Sequence, residues 1–184
     1  NLMSKTIEMA KEGNILDRWS FSLLYATDFA DRLEHEVIPA LRSGFIVLAD
    51  RYIYTALARD FVRSGNRQWA RDVFGFALVP DLVCYMRIDV ETLVLRVIET
   101  KGMNFWESGM DLRLGSDLYD SFKKYQSLLI EEFDKMAEEF HFEVTDARKS
   151  PDEIQEELRG KIQPLLTSHL KSPELPSDRF TQPT

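Results

Sequence analysis

Phe45-Ile46-Val47-Leu48-Ala49-Asp50-Arg51-Tyr52 is the stretch that decides the fold. Its apolar part, Phe45–Ala49, does not alternate with polar residues as a half-exposed strand would. Apolar on both faces is the mark of a strand in a parallel sheet covered by helices. Working outward, Leu82–Ile88 and Phe142–Asp146 repeat the pattern. Helical periodicities separate the three. The longest opens near Asp17 and carries Leu23, Ala26, Ala30, Leu33, Val37 and Leu41 at spacings of three and four. It stops at Gly44, a natural helix terminator. This order predicts an α/β fold: a three-layer open parallel sheet with helices on both faces and right-handed crossovers.

Further helices are expected over the opening residues and about Tyr54–Arg63, Arg67–Ala77, Val90–Thr100 and Asp117–Phe140. The last, about Pro151–Leu170, has an explicit start: Ser150 can cap, Pro151 suits the first helical position, and Glu153 completes a capping box. Residues 1–170 read as one α/β domain. The tail from Lys171 to Thr184, with three of the seven prolines, reads as a loose end or an arm.

The 184 residues are enough for one full-sized domain, and an apolar fraction of 44% with 29% charged residues is ordinary for a globular core. The net charge of −8 argues against coating nucleic acid, which is driven by basic patches. A single cysteine, Cys84, excludes an intrachain disulfide or a cysteine-cluster zinc site. No apolar run approaches the roughly 20 residues that span a membrane, and nothing resembles a secretion signal. The expectation is a soluble, acidic, cytoplasmic domain. The chain begins at Asn1 inside a helical pattern, so the natural translation start is expected upstream.

In open α/β sheets ligands bind beyond the carboxyl ends of the strands. Three places qualify. At the first, Asp50 can hold a metal-bound water or a substrate hydroxyl, and Arg51 can clamp a phosphate, unless the two form only a surface ion pair. Arg51, Arg59, Arg63, Arg67 and Arg71 stand here against one acid, Asp60, a local charge that suits an anion; Arg67 and Arg71 read better as a solvated face. The second place is the connection Thr100–Asp117, with Gly102, Gly109 and Gly115 as hinges and Arg113 able to close over phosphates; the alternative is an irregular connection. The third is Asp146-Ala147-Arg148-Lys149, where helix amides and positive side chains can receive an anion. Elsewhere the plain reading holds. His35, His141 and His169 show no ligand spacing, Cys84 is an inert core thiol, and Asp28 and Arg32 make a helix ion pair. The acids between Glu131 and Glu157 form a solvated face.

Leu23-Leu24-Tyr25-Ala26-Thr27-Asp28, Ile38-Pro39-Ala40-Leu41-Arg42-Ser43-Gly44, Val47–Tyr52, Pro80-Asp81-Leu82 and Val144-Thr145-Asp146-Ala147 together resemble the thymidylate kinase family of P-loop nucleoside monophosphate kinases, from about Met3 to Leu166. The resemblance implies magnesium-assisted transfer of the γ-phosphate of ATP to a nucleoside monophosphate. Asp50 would organise magnesium and its water, and Arg51 would bind the acceptor phosphate. Tyr52 and Thr55 would shape the acceptor pocket, Arg113 would be the lid arginine, and Ala147 and Arg148 would border the ATP adenine. The resemblance also implies a homodimer, for which the Leu23–Leu41 stripe could serve; the alternative is that the stripe faces the core.

The departures are specific. No Gly-x-x-x-x-Gly-Lys-Ser/Thr loop occurs. The family carries that cradle, with a central strand, ahead of a segment like Asn1–Ile15, so the natural protein is expected to have it and these residues alone not to turn over ATP. Phe29 stands where the family has an arginine on the thymine base, and Arg59-Asp60 replace its Tyr-Gln pair. Glu8 falls where the first helix usually offers an arginine. Losing hydrogen-bond partners at the base edge discriminates strongly against the original base, so altered acceptor specificity is expected. A nucleoside kinase and a non-catalytic nucleotide-binding or scaffold subunit are the alternatives.

Overall fold

Two of the three apolar runs pair. In the computed structural model of the chain, which describes residues 3–13, 16–100 and 102–171, β1 (Cys84–Arg87) lies parallel to β2 (Glu143–Asp146), with Cys84 opposite Glu143 and Arg87 opposite Asp146. The chain divides between Val79 and Pro80 into two compact units.

The unit beginning at Pro80 holds the sheet. The crossover from β1 to β2 contains α6 (Val90–Thr100) and α7 (Leu118–Glu139), and a parallel pair requires such a long return. Val94 and Val97 of α6 bury against Phe122 of α7, with Val90, Leu93 and Met103 packed around them. Tyr85 stacks on Phe133 at 5.5 Å, fixing α7 against β1. α8 (Pro151–Lys171) runs back along β2, where Lys161 Nζ donates to the Val144 carbonyl at 3.0 Å. The sheet is less buried than the sequence predicts: Met86 and Val144 remain exposed, and only Thr145 of β2 is fully buried. The two strands therefore show an α/β unit but not three layers.

The first unit is helical. α1 (Ser4–Gly13) buries Ile7 and Ala10 and packs on α2 (Arg18–Arg32). α2 also packs on α4 (Tyr54–Ser64), which buries Tyr54, Leu57, Ala58 and Phe61. α5 (Arg67–Val73) adds Trp69, edge-on to Trp19 at 4.3 Å. It ends short of the predicted Ala77 because the chain turns at Phe74–Ala77, Ala77 N–H donating to the Phe74 carbonyl.

The long helix predicted from Asp17 forms as α2, a π-turn at Leu33–Val37 and α3 (Ile38–Arg42). Pro39 explains the interruption. It lacks an N–H and its ring clashes with the carbonyl four residues back, and a locally widened turn removes both problems. Gly44, at φ +80°, then closes the helix: Gly44 N–H donates to Leu41 and Phe45 N–H to Ala40, the paired bonds of a Schellman stop.

The expected strand Phe45–Asp50 does not form. Among the described residues it has no pairing partner, and Phe45, Ile46 and Leu48 are 69%, 75% and 92% exposed. A strand exists only by sharing its backbone donors and acceptors with a neighbour, so an apolar sequence alone leaves the run irregular. The tail beyond Lys171 lies outside the described residues.

Candidate active site

The run ends in a strained turn. Tyr52 N–H donates to the Asp50 carbonyl at 2.8 Å, spanning Arg51 at φ +68°, and Tyr52 follows at φ +46°. A two-residue closure around a positive φ has γ-turn character, and each such non-glycine residue costs on the order of 1–3 kcal/mol. The surrounding aromatics hold it. Tyr52 Oη donates to the Leu78 carbonyl at 2.8 Å, and Phe29 meets the Tyr52 ring edge-on at 5.0 Å. Phe29 also contacts Phe74 and Phe76. Burial, together with the charge of Tyr54, pushes the Tyr52 phenol up to about 12 against the opposing Leu78 bond. Tyr54 is likewise raised to about 12 by burial. Both phenols stay protonated near neutral pH, and Tyr52 acts as a donor, not a base.

The same turn turns Asp50 and Arg51 to solvent. Their side chains are 96% and 59% exposed, and Arg51 Nε lies 4.0 Å from Asp50 Oδ2. Ile53, next in sequence, is buried and is the N-cap of α4, so the turn is pinned on its C-terminal side. Thr55 and Arg59 follow on α4 one helical turn apart, both half-buried. Asp60 accepts a hydrogen bond from Ser22 Oγ across the α2–α4 contact. Burial raises its carboxyl, opposed by the Ser22 bond and by Arg63. Arg67, expected on a solvated face, covers the Phe61 ring at 4.7 Å instead. Asp28 pairs with Arg32 at 3.4 Å as predicted, while its buried Oδ1 has no hydrogen-bond partner.

In the second unit, Arg113 is exposed at φ +53°, just after a single 3-10 turn at Met110–Leu112. The glycines around it are not free hinges. A Cβ on Gly109 would stand 2.5 Å from the buried Tyr125 ring, and one on Gly115 would meet the Ser121 backbone nitrogen at 2.3 Å. Ser121 Oγ donates to the Ser108 carbonyl and Gln126 Nε2 to the Glu107 carbonyl, so α7 grips the connection. Gly102 alone of the three has open space.

The anion site expected at Asp146–Lys149 is closed. Arg148 Nε lies 2.9 and 3.1 Å from the Asp146 oxygens and Nη2 lies 2.8 Å from Oδ2. Lys149 is engaged by Glu157. The capping box forms as predicted, with Ser150 N–H donating to Glu153 and Glu153 N–H to Ser150 Oγ, and it takes up amides an anion would need. Ala147 is buried, its N–H donating to the Arg87 carbonyl at 2.9 Å. The spacing Asp-x-Arg at a strand end was the signal for this pairing, since an Asx-turn folds the first side chain back toward the third residue.

The family model described as Thymidylate kinase matches residues 2–158. The chain belongs to the thymidylate kinase family. Among its relatives, "Probable thymidylate kinase 2" of Saccharolobus solfataricus is 39% identical over 155 residues, covering 83% of this chain and 73% of that protein. "Probable thymidylate kinase" of Thermococcus gammatolerans is 28% identical over 80% of this chain and 65% of its own length. That of Methanocaldococcus jannaschii is 30% identical over 88% and 77%. Against this family, the turn at Asp50–Tyr52 is the feature that local physics alone does not require. No described helix is long and apolar enough to cross a membrane.

Proposed function

We propose that this chain serves ATP-dependent phosphoryl transfer to a nucleoside monophosphate, with an acceptor other than thymidylate preferred. The observation that carries the reading is the strained turn, which spends backbone energy to present a carboxylate and a guanidinium together to solvent. Phosphoryl transfer asks for positioned charge more than for covalent chemistry. Arg51 binds the acceptor phosphate through its planar fork and steadies it as charge shifts. Thr55, on the first turn of α4, and Tyr52, fixed through its hydroxyl, bound the acceptor. Phe29 offers an aromatic wall where an arginine would have read a base edge, and Arg59 supplies a further cation. Arg113 is the candidate phosphate-binding cation of the second unit.

The chain fits magnesium in the way that ion is usually held. It takes one or two carboxylates and fills its shell with water and substrate phosphate; Asp50 is an exposed hard oxygen donor, and no cluster of three or more metal-ligating side chains exists among the described residues. When bound with ATP, magnesium supplies charge neutralisation at the phosphate oxygens.

A non-catalytic nucleotide-binding or scaffold subunit is the second reading, favoured by the lack of a Gly-x-x-x-x-Gly-Lys-Ser/Thr run in these residues. The test is a panel of nucleoside monophosphates and nucleosides assayed for ADP release, using the full-length natural protein. The proposal expects turnover with a monophosphate other than thymidylate. Turnover with nucleosides only would make it a nucleoside kinase, and nucleotide binding without turnover would establish the scaffold.

A further inference from the structure

We propose that Ser22 and Asp60 are positioning residues: their hydrogen bond sets the register of α2 on α4 and thereby holds Phe29 against Tyr52, beside Arg51. The effect on the reaction rests on the proposal that Arg51 and Phe29 bound the acceptor; the register itself does not. Three contacts lie along one antiparallel seam. Arg18 Nη1 donates to the Arg63 carbonyl at 3.4 Å, Ser22 Oγ donates to Asp60 Oδ2, and Phe29 meets the Tyr52 ring edge-on at 5.0 Å. From Arg18 to Phe29 the chain advances eleven residues, while the facing segment falls back eleven from Arg63 to Tyr52. A match that holds from end to end is a single register.

The polar pair is the part of the seam that resists slipping. Ser22 is 5% exposed and Asp60 is half-buried. Ala26, one turn on from Ser22, and Leu57, one turn back from Asp60, are buried and apolar. Apolar burial is non-directional and does not by itself choose a register. A buried hydroxyl and a half-buried carboxylate do, because a slip leaves both without a partner. Slipping by one helical turn, about 5.4 Å, would also carry Phe29 off Tyr52, whose ring contact and Leu78 bond back the strained Arg51. Ser22 and Phe29 share a face of α2 seven residues apart, about 10 Å along the axis. Asp60 thus serves the acceptor through α2, its carboxylate already engaged by Ser22.

Ser22→Ala, Asp60→Ala and Asp60→Asn are made in the full-length natural protein and assayed with the monophosphate that it turns over. Ser22→Ala and Asp60→Ala are each expected to raise KM for that monophosphate about five-fold or more, with KM for ATP within about two-fold. The double variant should be no worse than either single one, because the same bond is lost only once. Asp60→Asn keeps an oxygen for Ser22 and should stay within about two-fold of wild type. A readout independent of turnover is the Tyr52 ring signal in the NMR spectrum of tyrosine-labelled protein, assigned with Tyr52→Phe. It should move in Ser22→Ala and Asp60→Ala and stay in place in Asp60→Asn. Should Ser22→Ala fail to fold, Ser22→Cys, close in size and a poor donor, takes its place. Single-variant effects that multiply overturn the inference, as does Asp60→Asn proving as damaging as Asp60→Ala, which would put the charge itself to use. A Tyr52 signal unmoved in folded variants overturns it as well. Should the signal move as expected while no monophosphate is phosphorylated, the kinase proposal fails and the register stands. Transfer with an unmoved signal sinks the register alone.

Discussion

The protein carries two aspartate–arginine pairs, each at the end of an apolar run, and they are opposites. Asp146 and Arg148 are separated by one residue, and an Asx-turn brings their side chains into a two-pronged bond at 2.8–3.1 Å. Asp50 and Arg51 are adjacent, their charged atoms lie 4.0 Å apart, and Arg51 and the following Tyr52 are forced to positive φ. One pair is satisfied by itself and rests on relaxed chain. The other is backed by half-buried Tyr52 and Phe29, and its two charges meet only each other, at 4.0 Å, and solvent. Strain without a local beneficiary points to a ligand; satisfaction points to a fixed surface.

Breaking the open pair is expected to have the largest effect. Arg51→Ala should lower kcat by about 10³-fold or more, the scale on which arginines matter to phosphoryl transfer, with the unfolding temperature within a few degrees of wild type. Activity within ten-fold of wild type would refute the assigned role. Arg148→Ala should do much less to turnover, leaving kcat within about two-fold while KM for ATP rises several-fold in steady-state assays.

Stability should then invert the ranking. Arg51→Gly relieves the positive φ and is expected to raise the unfolding free energy by up to about 1 kcal/mol in denaturant titration, even as activity is lost. Arg148→Gly, on unstrained chain, should lower it. The smallest effect is one of pH. The folded carboxyl of Asp146 lies near 2, below its usual 3.8, so its stabilising share is complete above pH 4 and disappears as pH falls through 2. Acid titration of Asp146→Asn should show a shallower decline across that window, and an identical curve would mean the clamp adds nothing to stability.

Much of this was legible in the sequence. Helical spacing, the Gly44 stop and the Ser150–Glu153 capping box are local signals, and the helices from Ser4 to Lys171 follow them closely. The runs around Cys84 and Val144 became strands because each found the other. Phe45–Ala49 carries the same composition and did not, because pairing is a property of two segments and no window on one of them contains it. The acid and base of the Asp50–Arg51 turn could be named from sequence, but the positive φ values of Arg51 and Tyr52 could not, since neither of those two residue types favours them. Gly109 and Gly115 were visible as glycines. That Tyr125 and Ser121 fill the space they leave depends on how α7 lies, which spacing does not encode.

The unpaired run has a practical consequence at the bench. A ribbon bearing bare Phe45, Ile46 and Leu48 is sticky, and the repulsion that keeps copies apart is the excess of acidic groups. Near the isoelectric point of about 5.0 that repulsion vanishes, so light scattering should climb there first, and a Leu48→Lys substitution should delay it.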